Sequence, residues 1–444
     1  MYSLKNNSLK IYFENITWLL IEKFVRLIFS LFVSVWLIRY LGPSKFGEYN
    51  YSISYVYLFG AIASLGLDGI VIKELVDNRF SANKLLGTTF VLKFCGSILA
   101  LCFIVVSFFF LDLNTELYKL ILIVSINNFL QLFNSIELFF QSKVLSKYIV
   151  WSNVFSLILS NLIKILLIYF EFDFRYFVYS YLFDSIVIAF SYLFVYHQRG
   201  YKIVEWKFDF GTANYLIKNS WTLIISSLFV SIYFKIDLVL IEIYSNLKNV
   251  GFYSAAVKLS ELWYFVPIII SNTVFPSLIK IRKNNFSLFK EKLQSLFVLL
   301  IWLGIFLSLF TTLFGDQIIQ IIYGNKFAGI SNVLIVHIWT SIFVFYGVAW
   351  SNWMILENHQ KTMMKIQVLS LITNLILNVI LIPKFGIFGS ALATLVSYAI
   401  GHLFFALFFK DQKLAIKMFW RSFSPVVFKN EIVKGVQSIK LFIS

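Results

Sequence analysis

Long apolar segments recur along the whole chain, and they restrict what it can fold into more than any other feature. A helix needs about 20 apolar residues to cross the hydrocarbon core of a bilayer. Segments of this kind lie at residues 16–39, 48–72, 86–111, 117–140, 150–170, 174–196, 216–243, 251–275, 293–314, 328–354, 363–383 and 387–409. The sequence therefore predicts an all-α polytopic membrane protein with about 12 transmembrane helices.

The composition also indicates a membrane protein. Hydrophobic residues make up 59% of the 444 residues and charged residues only 14%, whereas a soluble domain carries about 25% charged residues. The formal net charge of +16 is spread over short basic clusters between the apolar segments. Membrane topology explains such clusters better than a basic face on a soluble domain, so nucleic acid is not expected as a partner.

Basic residues are distributed unequally between alternate connections. With the amino terminus in the cytoplasm, 25 basic residues fall on the cytoplasmic side and seven on the outer side. The positive-inside rule then places both termini in the cytoplasm, which requires an even number of spans. Twelve spans satisfy this condition.

The second half of the chain echoes the first. FGEYNYS at residues 46–52 is followed by a similar VGFYSAA at residues 250–256, and a tryptophan, Trp18 or Trp221, precedes each of them. The repeat predicts two six-helix bundles with the same orientation, a layout typical of transporters. The predicted domains are an N-terminal bundle at 1–200, a cytoplasmic linker at 201–215, a C-terminal bundle at 216–409 and a basic cytoplasmic tail at 410–444. A basic interfacial helix is expected in the tail around Leu414 to Phe423.

Ionisable side chains inside the predicted spans are the candidates for function. Each costs a few kcal/mol or more at bilayer depth unless it faces protein or water. The deep cations are Lys23, Arg26, Lys93, Lys164, Lys235 and Lys258, and the deep acids are Glu22, Asp184, Asp237, Glu242 and Glu261. The last four helices carry almost no charge, so polarity is concentrated in the first helices of each half.

Two interpretations of the central charges stay open. Glu22 with Arg26, and Lys258 with Glu261, are either structural ion pairs on neighbouring helical turns or parts of a site that binds an anion. In the second case Arg26 and Lys258 face a cleft, and arginine suits bidentate contacts with phosphate.

The other polar residues leave fewer options. Lys93 and Lys164 either snorkel, pair with Asp184 or line a cavity. Asp68 and Glu137 lie near cytoplasmic helix ends and are expected to be structural. The four histidines show no metal-ligand spacing, and no nucleophile–base pair or P-loop occurs, so neither a metal nor an enzyme activity is predicted.

Several stretches in combination resemble a known family. They are TWLLIEKFVRL, RYLGPSKFGEYNYS, SLGLDGIVIKELV, KIDLVLI and VGFYSAAVKLSELWYFVP. These are similar to the Wzx-type polysaccharide (O-antigen) flippases of the multidrug/oligosaccharidyl-lipid/polysaccharide exporter superfamily, and the similarity covers nearly the whole chain. The resemblance implies the MATE-like fold of that superfamily, a V-shaped pair of six-helix bundles, in the bacterial inner membrane.

The resemblance also implies a function. Such proteins pass an undecaprenyl-pyrophosphate-linked oligosaccharide from the cytoplasmic to the periplasmic leaflet by alternating access, driven by a H⁺ or Na⁺ gradient and without a bound cofactor. The expected pyrophosphate ligands are Arg26, Lys258 and Lys23; the expected cavity residues are Lys93, Lys164 and Lys235; and the candidate ion-coupling acids are Glu22, Asp237, Glu261 and Asp184. Besides the lipid-linked substrate and membrane lipids, the implied partners are a polysaccharide polymerase and a chain-length regulator.

Two other functions compete with this one. A multidrug exporter of the same architecture needs a cavity with net negative charge to hold organic cations, whereas the deep set here is slightly positive. A membrane polymerase or ligase needs a large external loop and clustered catalytic residues, and the sequence predicts neither. The flippase is therefore the leading prediction.

Overall fold

The computed structural model is built from α-helices and describes residues 2–111, 114–424 and 427, with side chains described for residues 18, 22, 23, 25, 26, 29 and from 31 onward in those ranges. The helices are α1 Tyr2–Ser64, α2 Asp68–Asp77, α3 Ala82–Ser107, α4 Thr115–Leu130, α5 Asn134–Ser142, α6 Ser146–Tyr169, α7 Phe174–Gln198, α8 Phe210–Tyr244, α9 Leu247–Glu261, α10 Phe265–Asn284, α11 Phe286–Tyr323, α12 Ser331–Ile338, α13 Thr340–Leu356, α14 Gln360–Ala399 and α15 Lys413–Arg421. A π-helical segment, Ile400–Phe405, continues α14. These described residues contain no β-strand.

Ten helical stretches in the described ranges are long and apolar enough to cross a membrane. Two of them, Leu31–Asp77 and Gln360–Phe405, are 47 and 46 residues long, about twice the length that one crossing needs. Each contains a glycine with non-helical backbone, Gly42 with φ +65° and Gly386 with φ +57°. The breaks divide the two stretches into four segments, and the predicted all-α fold with about 12 crossings is confirmed.

Local chemistry explains the break between the first two segments. Glycine adopts positive φ without the steric cost that a Cβ atom brings. Pro43 follows directly, and its missing N–H group costs least in the first turn of a new helix. Gly42 and Pro43 together therefore end one helix and begin the next without a long loop.

The chain divides into two compact units, Met1–Val239 and Leu240–Ser444. Helix α8 begins in the first unit and ends in the second. Buried side chains of α2, α3, α5 and α7, among them Leu85, Phe139 and Tyr196, form a core of the first unit. The domain bounds predicted from the sequence stay a prediction.

The connection between α7 and α8 packs on the start of α3 in the first unit. The backbone N–H of Lys207 donates to the carbonyl of Asn83 at 3.1 Å, and the side-chain amide of Asn83 donates to Glu205 at 3.1 Å. A Cβ atom at Gly87 would lie 2.6 Å from the backbone nitrogen of Lys207. This connection is thus a packed part of the first unit.

Helix α15 forms where the sequence predicts a tail helix. Its apolar side chains Ala415, Ile416, Met418 and Phe419 are buried in a core of the second unit, next to side chains of α11 and α13. The apolar face therefore contacts protein, which differs from the expectation that it lies in the bilayer interface.

Helices α1 and α3 approach each other closely at Gly96. A Cβ atom built there would lie 2.7 Å from the carbonyl oxygens of both Ile62 and Ala63. Small residues at such contacts let two helices gain van der Waals contact in a lipid environment, where the hydrophobic effect contributes little to association.

Gly96→Ala should therefore destabilise the first unit, because the added methyl group forces the two backbones apart at a cost of about 1–3 kcal/mol. The matched control is Gly60→Ala on α1, where a Cβ atom has no neighbour within 4 Å. The effect is measured as the thermal unfolding midpoint of each purified variant in detergent, with size-exclusion chromatography as the readout. Equal midpoints for the two variants would contradict this description of the contact.

Candidate functional site

Polar side chains from four helices meet inside the first unit. Glu22 Oε1 on α1 accepts hydrogen bonds from Arg26 Nη2 at 2.7 Å and from Asn153 Nδ2 on α6 at 3.1 Å. The hydroxyl of Tyr192 on α7 lies 2.8 Å from Asn153 Oδ1 and 3.1 Å from Glu137 Oε2 on α5. These contacts connect two carboxylates, Glu22 and Glu137, through neutral polar groups.

The ion pair on α1 is asymmetric. The side chain of Glu22 is 12% exposed, whereas that of Arg26 is 47% exposed. Glu22 is fixed from two sides, so its carboxylate holds one nitrogen of the guanidinium while the rest of that group faces outward. Lys23, the next residue after Glu22, is also exposed. The α1 face therefore presents positive charge next to a partly buried acid.

Lys93 forms a second ion pair in the same unit, with a buried lysine and a carboxylate, Asp68, that is 58% exposed. Its Nζ atom on α3 lies 2.6 Å from Asp68 Oδ1 at the start of α2, and its side chain is only 5% exposed. Glu137 lies within electrostatic range of Asp68 and Lys93 as well as Glu22. Asp68 rather than Asp184 is thus the partner of Lys93, because α2 begins beside α3.

Lys164 pairs with Asp184, as one of the sequence interpretations proposed. Nζ of Lys164 on α6 lies 2.6 Å from Asp184 Oδ2 on α7, and the two side chains are 14% and 25% exposed. Asn127 on α4 lies in the neighbouring polar layer, where it hydrogen-bonds to the hydroxyl groups of Tyr181 at 3.3 Å and of Ser185. Helices α4, α6 and α7 are therefore joined by polar contacts at this level.

Two further candidates lie on α8 within the first unit. Nζ of Lys235 is 6.0 Å from the ring centroid of Tyr57, a cation–π distance at the outer limit of useful attraction. Asp237, two residues later, is buried. Lys235 is partly buried, so it is less accessible to a ligand than Arg26.

In the second unit, Lys258 and Glu261 lie on the exposed face of α9. The opposite face is fixed: Ser260 Oγ lies 2.6 Å from Nδ1 of the buried His337 on α12. The buried His337 therefore has a structural role. Its hydrogen bond to Ser260 fixes the orientation of α9, so that Lys258 and Glu261 face outward.

The ten predicted site residues thus fall into two classes. Four of them are exposed, Lys23, Arg26, Lys258 and Glu261, and the other six are buried or partly buried, Glu22, Lys93, Lys164, Asp184, Lys235 and Asp237. Exposed cations on membrane helices are the groups that can receive an anion. Within the described ranges, no group of three or more His, Cys, Asp or Glu side chains is arranged to hold a metal ion.

Three residues of the polar network around Glu22 were not predicted from the sequence as site residues. Glu137 was expected to be a structural residue near a helix end, and neither Asn153 nor Tyr192 was singled out. The only signal for the latter two was their polarity inside an apolar span. Which helices pack together decides that these residues meet Glu22, and spacing within one helix does not contain that information.

Comparison with known proteins gives two family matches. The sequence profile of the polysaccharide biosynthesis protein family matches residues 12–282, more than half of the chain, and that of the lipid II flippase MurJ matches residues 253–436. The probable low-salt glycan biosynthesis flippase Agl15 of Haloferax volcanii is 29% identical over 193 residues, which is 43% of this chain and 41% of that protein. The alignment thus spans about two fifths of that relative.

Solved structures show the same fold. The lipid II flippase MurJ in an inward closed conformation matches with a TM-score of 0.65 at 18% identity, covering 96% of this chain and 97% of that one. An inward-facing multidrug resistance MATE family transporter of the MOP superfamily also matches with a TM-score of 0.65, at 10% identity over 90% and 96% of the two chains. The predicted MATE-like fold is confirmed.

Lys164→Met should destabilise the first unit, because it leaves the carboxylate of Asp184 without its cation in a low-dielectric setting, at a cost of about 3 kcal/mol or more. The double variant Lys164→Met/Asp184→Asn removes both charges and should recover most of the loss. Thermal midpoints in detergent give the comparison.

A surface pair serves as the control for this cycle. Lys119 and Glu116 form an ion pair whose side chains are more than half exposed, and such pairs contribute only about 0–1 kcal/mol. Lys119→Met should therefore leave the midpoint nearly unchanged. A double variant no more stable than Lys164→Met would show that the pair is not the stabilising interaction.

Proposed function

The chain belongs to the polysaccharide biosynthesis protein family, and on this basis we propose that it is a flippase, a transporter that moves a lipid-linked oligosaccharide across the membrane. The described residues support transport because they form ten helical stretches long and apolar enough to cross a membrane, with ion pairs between neighbouring helices. The second profile match and the relative in Haloferax volcanii, both named as flippases, support the same class.

The proposed substrate is an undecaprenyl-pyrophosphate-linked oligosaccharide, the unit of O-antigen or a related surface polysaccharide. The half-exposed guanidinium of Arg26 is the observation that carries this proposal. A charged side chain inside a predicted span must face protein, water or a counter-ion. Arg26 is only partly satisfied by the anchored Glu22, so a pyrophosphate group is a fitting additional partner for its N–H donors.

Lys23 and Lys258 are the other proposed pyrophosphate ligands. Both are exposed, whereas the side chains of Lys93 and Lys164 are only 5% and 14% exposed. We assign the second pair of lysines to positioning of the helices. The lipid tail stays in the bilayer, and aromatic and hydroxyl side chains contact the sugars.

The proposed orientation of the termini rests on the charge distribution of the sequence, and the proposed direction and membrane are those that the resemblance to Wzx-type flippases implies. We propose that the protein lies in the bacterial inner membrane with both termini in the cytoplasm and that transport runs from the cytoplasmic to the periplasmic leaflet. A polysaccharide polymerase and a chain-length regulator are the proposed protein partners, because both act on the translocated unit.

Arg26→Ala and Lys258→Ala should each abolish surface polysaccharide in a strain that depends on this protein, because each removes positive charge that offsets the pyrophosphate. Arg26→Lys should retain partial activity, since it keeps the charge but loses bidentate contact. The measurement is surface glycan, normalised to the amount of protein in the membrane.

Lys248→Ala is the matched control, since Lys248 is an exposed lysine at the other end of α9. It should leave surface glycan unchanged. Full activity of both Arg26→Ala and Lys258→Ala would refute the assignment, and normal glycan with increased drug sensitivity in a deletion strain would favour the multidrug exporter instead.

We further propose that a H⁺ or Na⁺ gradient drives transport through one of the acids Glu22, Asp237, Glu261 or Asp184. Asp237 is buried on α8, and a desolvated carboxylate gains most from taking up a cation. Asp237 is therefore the first candidate on the basis of its burial, and Glu261, which is exposed on α9, is the second.

Transport by the purified protein in proteoliposomes should accelerate when a pH or sodium gradient is imposed. Asp237→Asn or Glu261→Gln should remove that response, because neither amide binds a proton or a sodium ion as a carboxylate does. Asp316→Asn, at an exposed position on α11, is the control and should respond as the unaltered protein does. A rate that is the same with and without either gradient would rule out coupling.

A further inference from the structure

The helix ends at one side of the second unit form a strongly basic surface. Arg282 Nε near the end of α10 lies 2.8 Å from Glu357 Oε1 after α13, and His359 Nδ1 lies 3.2 Å from Asp411 Oδ2 before α15. Helix α11 begins two residues after α10 ends. These contacts place the end of α10 and the starts of α11, α14 and α15 on the same side of the unit.

We call this surface the basic rim. Its cations are Lys280, Arg282, Lys283, Lys290, Lys292, Lys361, Lys365, Lys410, Lys413, Lys417 and Arg421, and its acids are Glu291, Glu357 and Asp411. All of the cations except Arg282 and Lys290 are exposed. Two of the acids, Glu357 and Asp411, are already in contact with Arg282 and His359, so the rim keeps a large positive excess.

Helix α15 supplies the most regular part of the rim. Lys413, Lys417, Trp420 and Arg421 recur at the spacing of one helical face, and all four are exposed. The opposite face is buried in the core of the second unit. The apolar face of this amphipathic helix thus packs on the second unit, and no described residue covers its basic face.

Buried hydrogen bonds fix α15 in this orientation. Gln294 Nε2 on α11 donates to the carbonyl of Met418 at 3.0 Å and to Ser422 Oγ at 2.9 Å, and Trp302 Nε1 donates to the carbonyl of Ser422 at 3.0 Å. At the other end, Trp350 Nε1 donates to Gln412 Oε1 at 2.8 Å. The helix cannot rotate its cations away without breaking these contacts.

The level of α15 in the membrane follows from the same contacts. Gln294 and Trp302 are the second and tenth residues of the predicted span 293–314, so the end of α15 lies beside the first turns of that span, close to the expected bilayer surface. Trp420 is 60% exposed, and Phe423 and Phe286 nearby in the rim are exposed as well. Exposed aromatic rings beside lysines are typical of protein surfaces that contact the headgroup region of a bilayer.

We propose that the basic rim binds the headgroups of anionic phospholipids. The excess of exposed cations matches the phosphate-bearing, negatively charged leaflet surface, and basic residues close to a membrane helix gain from that potential. The aromatic rings favour a lipid surface over an acidic protein as the occupant, because Trp420 and Phe423 flank Ser422, which contacts Gln294 at the start of the predicted span 293–314. This proposal uses neither Arg26 nor Lys258 and does not depend on the flippase proposal.

The test is a titration of the purified full-length protein with one lipid at a time, in which native mass spectrometry detects the bound lipid. Phosphatidylglycerol should bind more tightly than phosphatidylcholine with the same acyl chains. Lys413→Gln/Lys417→Gln/Arg421→Gln should weaken phosphatidylglycerol binding on the order of 10- to 100-fold, since each cation near an anionic surface contributes a several-fold factor. Added salt should reduce the preference in the unaltered protein.

A matched triple variant controls for net charge. Lys73, Lys202 and Lys218 are exposed cations of the first unit, and Lys73→Gln/Lys202→Gln/Lys218→Gln removes the same charge from a different surface. It should bind phosphatidylglycerol like the unaltered protein, and both triple variants should keep its thermal midpoint in detergent. Equal binding of the two lipids, or equal losses in the two triple variants, would overturn the proposal.

Discussion

A charge inside hydrocarbon needs a counter-charge or water, and the interior of this protein is arranged around that requirement. Lys93 with Asp68 and Lys164 with Asp184 are separated by 2.6 Å in each case and lie between neighbouring helices. Each pair fixes which helices can be neighbours, because moving one partner leaves the other unsatisfied. Glu22 is held in the same way, by Asn153 and Arg26, but its cation stays half exposed. We propose that this half-exposed guanidinium is where a substrate anion completes the charge balance.

The backbone conformation and small size of a few glycines determine where the helices lie, and so which side chains can pair. Positive φ at Gly42 and Gly386 lets two long helical stretches each turn into two segments, and Gly96 lets α3 reach the backbone of α1. The resulting packing of the helices places Asn153 and Tyr192 beside Glu22 and Glu137. Small residues at contacts and polar residues between helices thus act together: the first allow close packing, and the second select the partners.

Much of the fold could be predicted from the sequence, since hydropathy and the bias of basic residues report directly on crossings. Pairing within one helix was also accessible, as Glu22 and Arg26 are one turn apart. Contacts between helices were not: Lys93 pairs with Asp68 across 25 residues, and Tyr192 meets Glu137 across 55. The amphipathic pattern of α15 predicted a helix, but the pattern alone does not distinguish a lipid surface from the protein core that buries Phe419. The sequence alone therefore does not show which site residues on separate helices lie together, because that depends on how the helices pack.

We propose that the exposed guanidinium of Arg26 receives the pyrophosphate of a lipid-linked oligosaccharide. The most direct measurement is binding of two lipids to the purified protein, one with a pyrophosphate-linked sugar and one with the same sugar and tail joined by a single phosphate. The unaltered protein should prefer the pyrophosphate lipid, and Arg26→Ala should bind both equally and weakly while keeping its thermal midpoint. An unchanged preference in Arg26→Ala would contradict the claim.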